Sequence, residues 1–511
     1  MRTERDQLLS LLKPVEMNEY NRSICLPNTR LDVVKAIIDW ITDESSNHKQ
    51  VLWLYGRAGS GKSTLSKTIA WMMRDLHRLG GFFFFDRKIP ERSAENLIRV
   101  LSYQLAQFDT RIGAEVSRIV EHSPSIAVMP LGFQFAALLS ANALRSVEWT
   151  RGSIVIVIDA LDESGSIGDH RILMRALSEG LSGLPSFIRI MVVSRQEPDI
   201  QRALGSHSHV HHLDIDSAII EADILEFVQH RLEEIRRRNG FLDAHWPGND
   251  KINALARRAD SLFIWASTAC RYIDSGYDPN QRLSSLIRLP EFNNDSSVEL
   301  DRLYKTGLQS CGSWDDPSFS SDCCSIIGVI LCARIPLSDA AINALLALSQ
   351  DRPSLQTISR LVGFLHISKT EGIRIFHHSF CDYLSERCSA EPWSINLELH
   401  NKELALRCIK FLDKELRQNI CDMTLPHVTQ TKVLPEAISY ACTFWIEHIC
   451  LCTDATDDII DWICKFLDRH LLHWMEALAV SSCHDHTIRS LQALLTWLKV
   501  HHLICALDTQ H

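Results

Sequence analysis

The sequence predicts an α/β domain built on a doubly wound parallel sheet, followed by mostly α-helical domains. Three stretches carry that reading. Ile154-Val155-Ile156-Val157-Ile158 places five β-branched residues in a row, which suits a parallel strand covered on both faces and suits a helix poorly. Phe82 to Phe85, behind Gly80-Gly81, reads as a second such strand, since an exposed run of that kind would template aggregation. Val51 to Tyr55 is a third apolar run, and the residues Gly56 to Thr64 separate it from an amphipathic segment, Leu65 to Leu79. With Ile188 to Val193 as a further strand, strands and helices alternate from Val51 to Ser194, which is the pattern of an α/β sheet.

Around that core the elements follow in order. Met1 to Asn21 is short and polar, with one helix expected from Thr3 to Leu12 before Pro14. Cys25 to Arg30 leads into an amphipathic helix, Leu31 to Ile41, for which Asn28 or Thr29 is the expected N-cap. Ala94 to Gln107 is a helix with Leu97, Leu101 and Leu105 on one side. Beyond Pro198 the pattern becomes helical, over Ala222 to Arg238 and Lys251 to Ile273 and then nearly to the C-terminus. The exception is Leu365 to Phe376, where Thr370-Glu371-Gly372 between two apolar runs predicts a hairpin. Helices around a two-stranded wing give a winged helix. The expected domains are a short segment 1–24, a core 25–200, a helical domain 201–295, a winged helix 300–390 and a helical domain 391–511, with a break at Ser389 to Pro392. No repeat of solenoid or propeller length is visible.

Composition narrows the functional classes. The chain has 511 residues, too many for one core, so roughly two to four domains are expected. A net charge of −10 argues against broad phosphate-driven nucleic-acid binding. The 16 cysteines form no CxxC pair and many lie in apolar helical runs, as Cys408, Cys442 and Cys450 do, so they read as reduced core thiols of a cytoplasmic protein. No apolar stretch spans a bilayer; those around Val329 and Ala341 are broken by Arg334, Pro336 and Asp339.

The chemistry collects at strand ends. Gly56-Arg57-Ala58-Gly59-Ser60-Gly61-Lys62-Ser63-Thr64 has the spacing of a P-loop (Walker A) between a strand and a helix. Gly56, Gly59 and Gly61 are expected to take positive φ, so that successive N–H groups and the new helix's dipole converge on phosphate oxygens. Lys62 would reach the β- and γ-phosphates and Ser63 would ligate Mg²⁺. Asp159 ends a dry strand, where a carboxylate is costly without a cation or hydrogen bonds, and fits a Walker B acid sharing Mg²⁺ with Ser63. Asp162 or Glu163 can orient or deprotonate the attacking water, and the sequence does not choose between them. Arg195 follows another strand, where a guanidinium can stabilise the γ-phosphate. Ligands of such sheets bind at the carboxyl ends of the strands, and three strand ends meet there. Other clusters take a plain reading. His207, His209, His211 and His212 lie in a loop without metal-ligand spacing, Arg236 to Arg238 complement a helix dipole, and Cys323-Cys324 is a helical core pair.

These motifs resemble the NACHT-type NTPases of the STAND class, in the form abundant in filamentous and mushroom-forming fungi, and the nephrocystin-3-like N-terminal NTPase region. The likeness rests on Cys-Leu-Pro-Asn-Thr-Arg at 25–30, the loop at 52–63, Phe-Phe-Phe at 82–84, Ile-Asp-Ala-Leu-Asp-Glu at 158–163 and Val-Val-Ser-Arg-Gln-Glu-Pro-Asp-Ile at 192–200. Leu-Phe-Ile-Trp-Ala at 262–266 and Phe-His-His-Ser-Phe-Cys-Asp-Tyr-Leu at 376–384 extend it. The resemblance implies an α/β P-loop NTPase core, bound ATP or ADP with Mg²⁺, slow hydrolysis, and a winged helix that reorients on nucleotide exchange. It also implies homo-oligomers in the ATP state and protein partners in signalling or self/non-self recognition. By the same resemblance Thr29 and Arg30 lie on the adenine side and His377 touches the β-phosphate of ADP. Arg57 replaces a proline more usual in the family, at a position expected to point outward and matter little. Members usually carry an N-terminal effector domain and a C-terminal repeat array, and this sequence is expected to carry neither. A nucleotide-binding scaffold or an inactive truncated copy stays open as an alternative. A conventional P-loop kinase is disfavoured, because no second substrate motif follows the core.

Overall fold

The computed structural model describes residues 4–501, apart from 13–14, 16, 18–23, 44, 46–48, 88, 166, 206, 217–219, 261, 289–295, 369–370, 422–433, 454–455 and 481–489. Thr3, Pro14 and Thr370, singled out above, lie outside the described residues. The chain divides into two compact units, 1–267 and 268–511.

In the first unit the strands β1 (Val51–Tyr55), β2 (Leu79–Phe84), β3 (Ile154–Asp159), β4 (Ile188–Ser194) and β5 (Val210–Asp214) form one sheet in the order β2-β3-β4-β1-β5. Every pairing is parallel. Side chains alternate across a strand, and here both faces are covered. Leu52, Leu54, Phe82, Phe84, Val155 and Val157 pack with the helices Leu31–Thr42 and Lys62–Asp75 on one face. Trp53, Phe83, Phe85, Ile154, Ile156 and Ile158 pack on the other, against the helices Leu97–Phe108, Thr110–His122, Leu131–Leu138 and Ile167–Gly180. The expected α/β sheet with helices on both faces is therefore present, and all four consecutive phenylalanines are buried.

Several expectations need correction. The helix after the glycine loop starts at Lys62 and ends at Asp75, while Leu79 opens β2. Neither Asn28 nor Thr29 caps the helix at Leu31. Arg30 is the N-cap, in the left-handed region at φ 58°, and the Thr29 hydroxyl donates back to the Leu26 carbonyl at 2.8 Å. The single helix expected over Lys251 to Ile273 is two, Asn249–Arg258 and Phe263–Asp274, parted where Asp260 takes φ 41°. The histidines from 207 to 212 do not all lie in a loop: His211 and His212 belong to β5, paired with Leu52 and Trp53 of β1. β5 is an edge strand with one half-buried face, so polar residues satisfy it and no apolar run announces it. The sheet consequently continues beyond residue 200.

Among the described residues the second unit is helical apart from an antiparallel hairpin, β6 (Leu365–Ser368) and β7 (Gly372–Ile375), in the predicted place, with a single bridge from Leu337 to Ile373 of β7. Arg271 fastens the approach to that hairpin. Its guanidinium donates to the carbonyls of Val362, Gly363 and Leu365 and lies 4.1 Å from the centroid of the Phe376 ring. The helices Leu397–Glu415 and Glu436–Cys450 pack closely, with Cys408 and Cys442 buried among apolar side chains. They also bury a polar chain of Asn401, His448 and Tyr440. Among the described residues no helix is long and apolar enough to cross a membrane, and the described cysteines are free thiols.

Candidate functional site

β3, β4 and β1 are neighbours in the sheet and run the same way, so their carboxyl ends open onto one edge. The glycine loop leaves β1 there. Gly59 and Gly61 take φ of 77° and 94°, which L side chains avoid. At Gly59 there is a second reason: a Cβ would lie 2.1 Å from Ile264 Cγ2, and the Ile264 N–H donates to the Gly59 carbonyl at 3.0 Å. Gly56 differs from the expectation. Its φ is not positive; glycine is needed because a Cβ would stand 2.8 Å from Ile215 Cγ1 and 3.1 Å from Asp216 Oδ1.

Gly61 is the N-cap of the helix that begins with Lys62-Ser63-Thr64, so that helix presents its unpaired N–H groups and positive dipole end beside the loop residues Ala58 and Ser60. Lys62 Nζ arches back and donates to the carbonyls of Gly56 at 2.8 Å and Arg57 at 2.7 Å. Burial pushes the Lys62 ammonium down to about 8, against the opposing pull of Asp162. A desolvated cation that donates to carbonyls is suited to an anionic ligand.

Ser63 Oγ donates to Asp159 Oδ1 at 3.2 Å, and the same oxygen accepts the Ala160 N–H at 2.9 Å. Two hard oxygens about 3 Å apart match one edge of a Mg²⁺ octahedron with bonds of ~2.0–2.1 Å. No group of three or more His, Cys, Asp or Glu among the described residues could hold a metal. The pair therefore fits Mg²⁺ completed by phosphate oxygens and water, the usual manner of that ion.

Ala160 turns the chain at φ 56°, and this aims Asp162 at β4. The buried Asp162 carboxylate accepts the Arg195 backbone N–H at 3.0 Å on Oδ1, and Arg195 Nε lies 3.2 Å from Oδ2. Asp162 thus fixes Arg195. Glu163, next in the turn, is half-buried. Arg87, beyond β2, donates to the Asp162 carbonyl at 2.7 Å.

Thr29 and Arg30 are both buried, and Arg30 Nη2 donates to the Ser60 carbonyl at 2.6 Å, which ties this segment to the loop. The Arg30 guanidinium lies 5.0 Å from the Phe263 ring centroid. Its Nε and Nη1 are buried without an acceptor, and burial lowers its pKa. Buried N–H donors are paired in the great majority of native structures, so two orphans beside the glycine loop suit a ligand with acceptors. His377 belongs to the second unit. Its Nδ1 accepts the Ser379 N–H at 3.2 Å, so its ring proton sits on Nε2.

Sequence reasoning missed four contributors. Arg57 points outward as expected but is not idle: its N–H donates to Asp216 Oδ2 at 2.6 Å and its Nε lies 3.5 Å from the same oxygen. Asp216 was not singled out, since β5 before it went unrecognised. Phe263 and Ile264 entered only as part of a resembling stretch.

Residues 34–195 match the family described as Nephrocystin 3, N-terminal. No curated protein matches the chain in sequence. Among solved structures, the chain is similar to a Signal Transduction ATPase with Numerous Domains (STAND) protein with a tetratricopeptide repeat sensor from Pyrococcus horikoshii. The identity is 12% and the TM-score 0.45, over 96% of this chain and 56% of that one, so the chain spans little more than half of that protein's length. It is also similar to the ORC of Drosophila, in a structure bound to DNA, at 13% identity and a TM-score of 0.31, over 71% of this chain and 92% of that one.

Proposed function

We propose that this chain is a NACHT-type, STAND-class switch that binds ATP and ADP with Mg²⁺ and hydrolyses ATP slowly. The observation that carries the reading is the meeting of Lys62, the Ser63–Asp159 pair and the Asp162–Arg195 pair at the ends of three adjacent parallel strands. The match over residues 34–195 supports the same class.

In this reading the loop N–H groups from Ala58 to Thr64 and Lys62 hold the phosphates. Ser63 and Asp159 hold Mg²⁺, which when bound neutralises charge on the β- and γ-phosphates. Asp162 keeps Arg195 at the γ-phosphate, and that leaves Glu163 to orient the water. Thr29 and Arg30 face the base and sugar, where the two orphan donors gain acceptors. His377 offers its Nε2–H to the β-phosphate of ADP. A contact made with one nucleotide in one arrangement gives the two states different affinities, and only such a difference shifts a population. The domains would follow the boundaries expected from sequence, except that the core extends past residue 200 to take in β5, with the hairpin as the wing of a winged helix. The ATP state would form homo-oligomers and recruit protein partners in cytoplasmic signalling, without contacting nucleic acid.

Native mass spectrometry of the purified chain tests this. Unmodified protein is expected to carry one adenine nucleotide, and Lys62→Ala none. Protein that arrives empty and takes up neither ATP nor ADP would sink the reading. Phosphoryl transfer or steady turnover near the ~1–100 s⁻¹ of kinases would replace the switch by an enzyme.

A further inference from the structure

A fourth strand end reaches the glycine loop. β5 runs parallel to β1 with Asp214 opposite Tyr55, and the chain stays in register one residue longer, the Ile215 N–H donating to the Tyr55 carbonyl at 3.0 Å. Asp214 Oδ1 then accepts the Asp216 N–H at 2.9 Å, a local turn that directs the Asp216 side chain back at the loop. There Asp216 Oδ2 accepts the Arg57 N–H at 2.6 Å, with Arg57 Nε at 3.5 Å.

The carbonyl of the same residue is held as well. The Arg57 carbonyl accepts from Lys62 Nζ at 2.7 Å, from Ser60 Oγ at 2.8 Å and from the Ser60 N–H at 3.3 Å. Residue 57 is thus gripped at its N–H by a carboxylate and at its C=O by the cation that is to meet phosphate. The approach is close enough that Gly56 has no room for a Cβ. The geometry assigns Asp216 as a positioning residue of the nucleotide site. Through the Arg57 peptide it holds the first turn of the phosphate loop, and with it the arch of Lys62, in the shape that receives a nucleoside polyphosphate. The assignment rests on the reading of the loop as a nucleotide site.

Two consequences separate this role from plain structural support. The bond needs an N–H at position 57 and an acceptor at position 216, but not a charge on that acceptor. A carboxylate that loses its donor becomes an unpaired anion near bound phosphate, and like charges repel. Asp216→Ala is therefore expected to weaken ATP–Mg²⁺ binding by about ten- to hundredfold, the scale of one hydrogen bond to a charged group. Asp216→Asn, which keeps an acceptor, is expected to restore most of that affinity. Arg57→Pro removes the N–H, and in that background Asp216→Ala is expected to cost nothing further or to improve binding.

Titration calorimetry with ATP and Mg²⁺ on the full chain, stripped of nucleotide, reads all four variants beside Lys62→Ala, with thermal midpoints measured in parallel. If Lys62→Ala abolishes binding and Asp216→Ala leaves it unchanged, the positioning role is wrong and the nucleotide site stands. Equal losses from Asp216→Ala with and without Arg57→Pro would also overturn the role, as would a fallen thermal midpoint with unchanged affinity. If Lys62→Ala binds like the unmodified chain, the nucleotide reading fails and the role of Asp216 falls with it.

Discussion

Two buried polar networks, one in each unit, differ in whether they close. In the second unit the Arg334 N–H donates to the Tyr440 hydroxyl at 3.2 Å. Tyr440 donates to His448 Nε2 at 2.7 Å, and His448 Nδ1 donates to Asn401 Oδ1 at 2.8 Å. Asn401 Nδ2 ends the chain on the Leu397 carbonyl at 2.7 Å. Each donor in that chain has an acceptor, and the order fixes one neutral tautomer of His448. At the strand edge of the first unit, Arg30 keeps two buried N–H groups without acceptors and Lys62 is a desolvated cation. Burial acts on both networks, pushing His448 down to about 3 and Lys62 down to about 8. The difference teaches what each is for. A closed network satisfies itself and specifies packing; an open one is satisfied by something that arrives.

The contrast is broken most directly at Glu163. Glu163→Gln is expected to slow single-turnover ATP hydrolysis by about 10²- to 10³-fold, the range of a positioned acid–base group, with nucleotide binding and thermal midpoint nearly unchanged. Hydrolysis at the unmodified rate would move the role to another residue. Loss of folding instead would make this edge a support, like the closed network.

His448 sharpens the other side. Its folded pKa lies far below the ordinary 6.5, so the unfolded chain binds the extra proton. Its contribution to stability is whole above pH 6.5 and is lost as the pH falls from there towards the folded value. The loss is roughly 3 kcal/mol by pH 4.5, at ~1.4 kcal/mol per unit. Unfolding midpoints at pH 7 and 4.5 should therefore separate less in His448→Gln than in the unmodified chain. Equal separations would show that the network does not hold His448 neutral.

The smallest effect is the pH dependence of binding. Lys62 is a base whose folded pKa is depressed, so its buried charge opposes folding in full below about pH 8 and that cost is relieved as the pH rises from about 8 to the ordinary 10.5. Bound phosphate reverses the preference. ATP affinity should fall by up to tenfold per pH unit above about 8, with proton uptake on binding. Flat affinity to pH 9.5 would mean that Lys62 already has its charge compensated within the protein.

What the sequence made legible was local. The β-branched run of β3 announces a covered strand, the glycine spacing announces the loop, and acids and an arginine directly after apolar runs announce a strand edge. What stayed hidden depends on distant partners. β5 is a strand because β1 lies beside it, and its histidines carry no apolar signal. The sequence gives Arg57 little to do because its partner, Asp216, lies 159 residues away along the chain. Positive φ is expected of Gly56 along with Gly59 and Gly61, whereas crowding from Ile215 decides Gly56. Asp162 and Glu163 were indistinguishable in one dimension, and the turn at Ala160 parts them.

The order of the strands has a consequence for biosynthesis. Among the described residues β2 pairs only with β3, and the four phenylalanines end about seventy residues before β3 begins. At the ribosome's ~5–20 residues per second, that run waits several seconds or longer for the one strand able to cover its edge. During that interval the nascent chain offers a sticky segment to any neighbour, so its yield in the cell should depend on chaperones that bind emerging polypeptide.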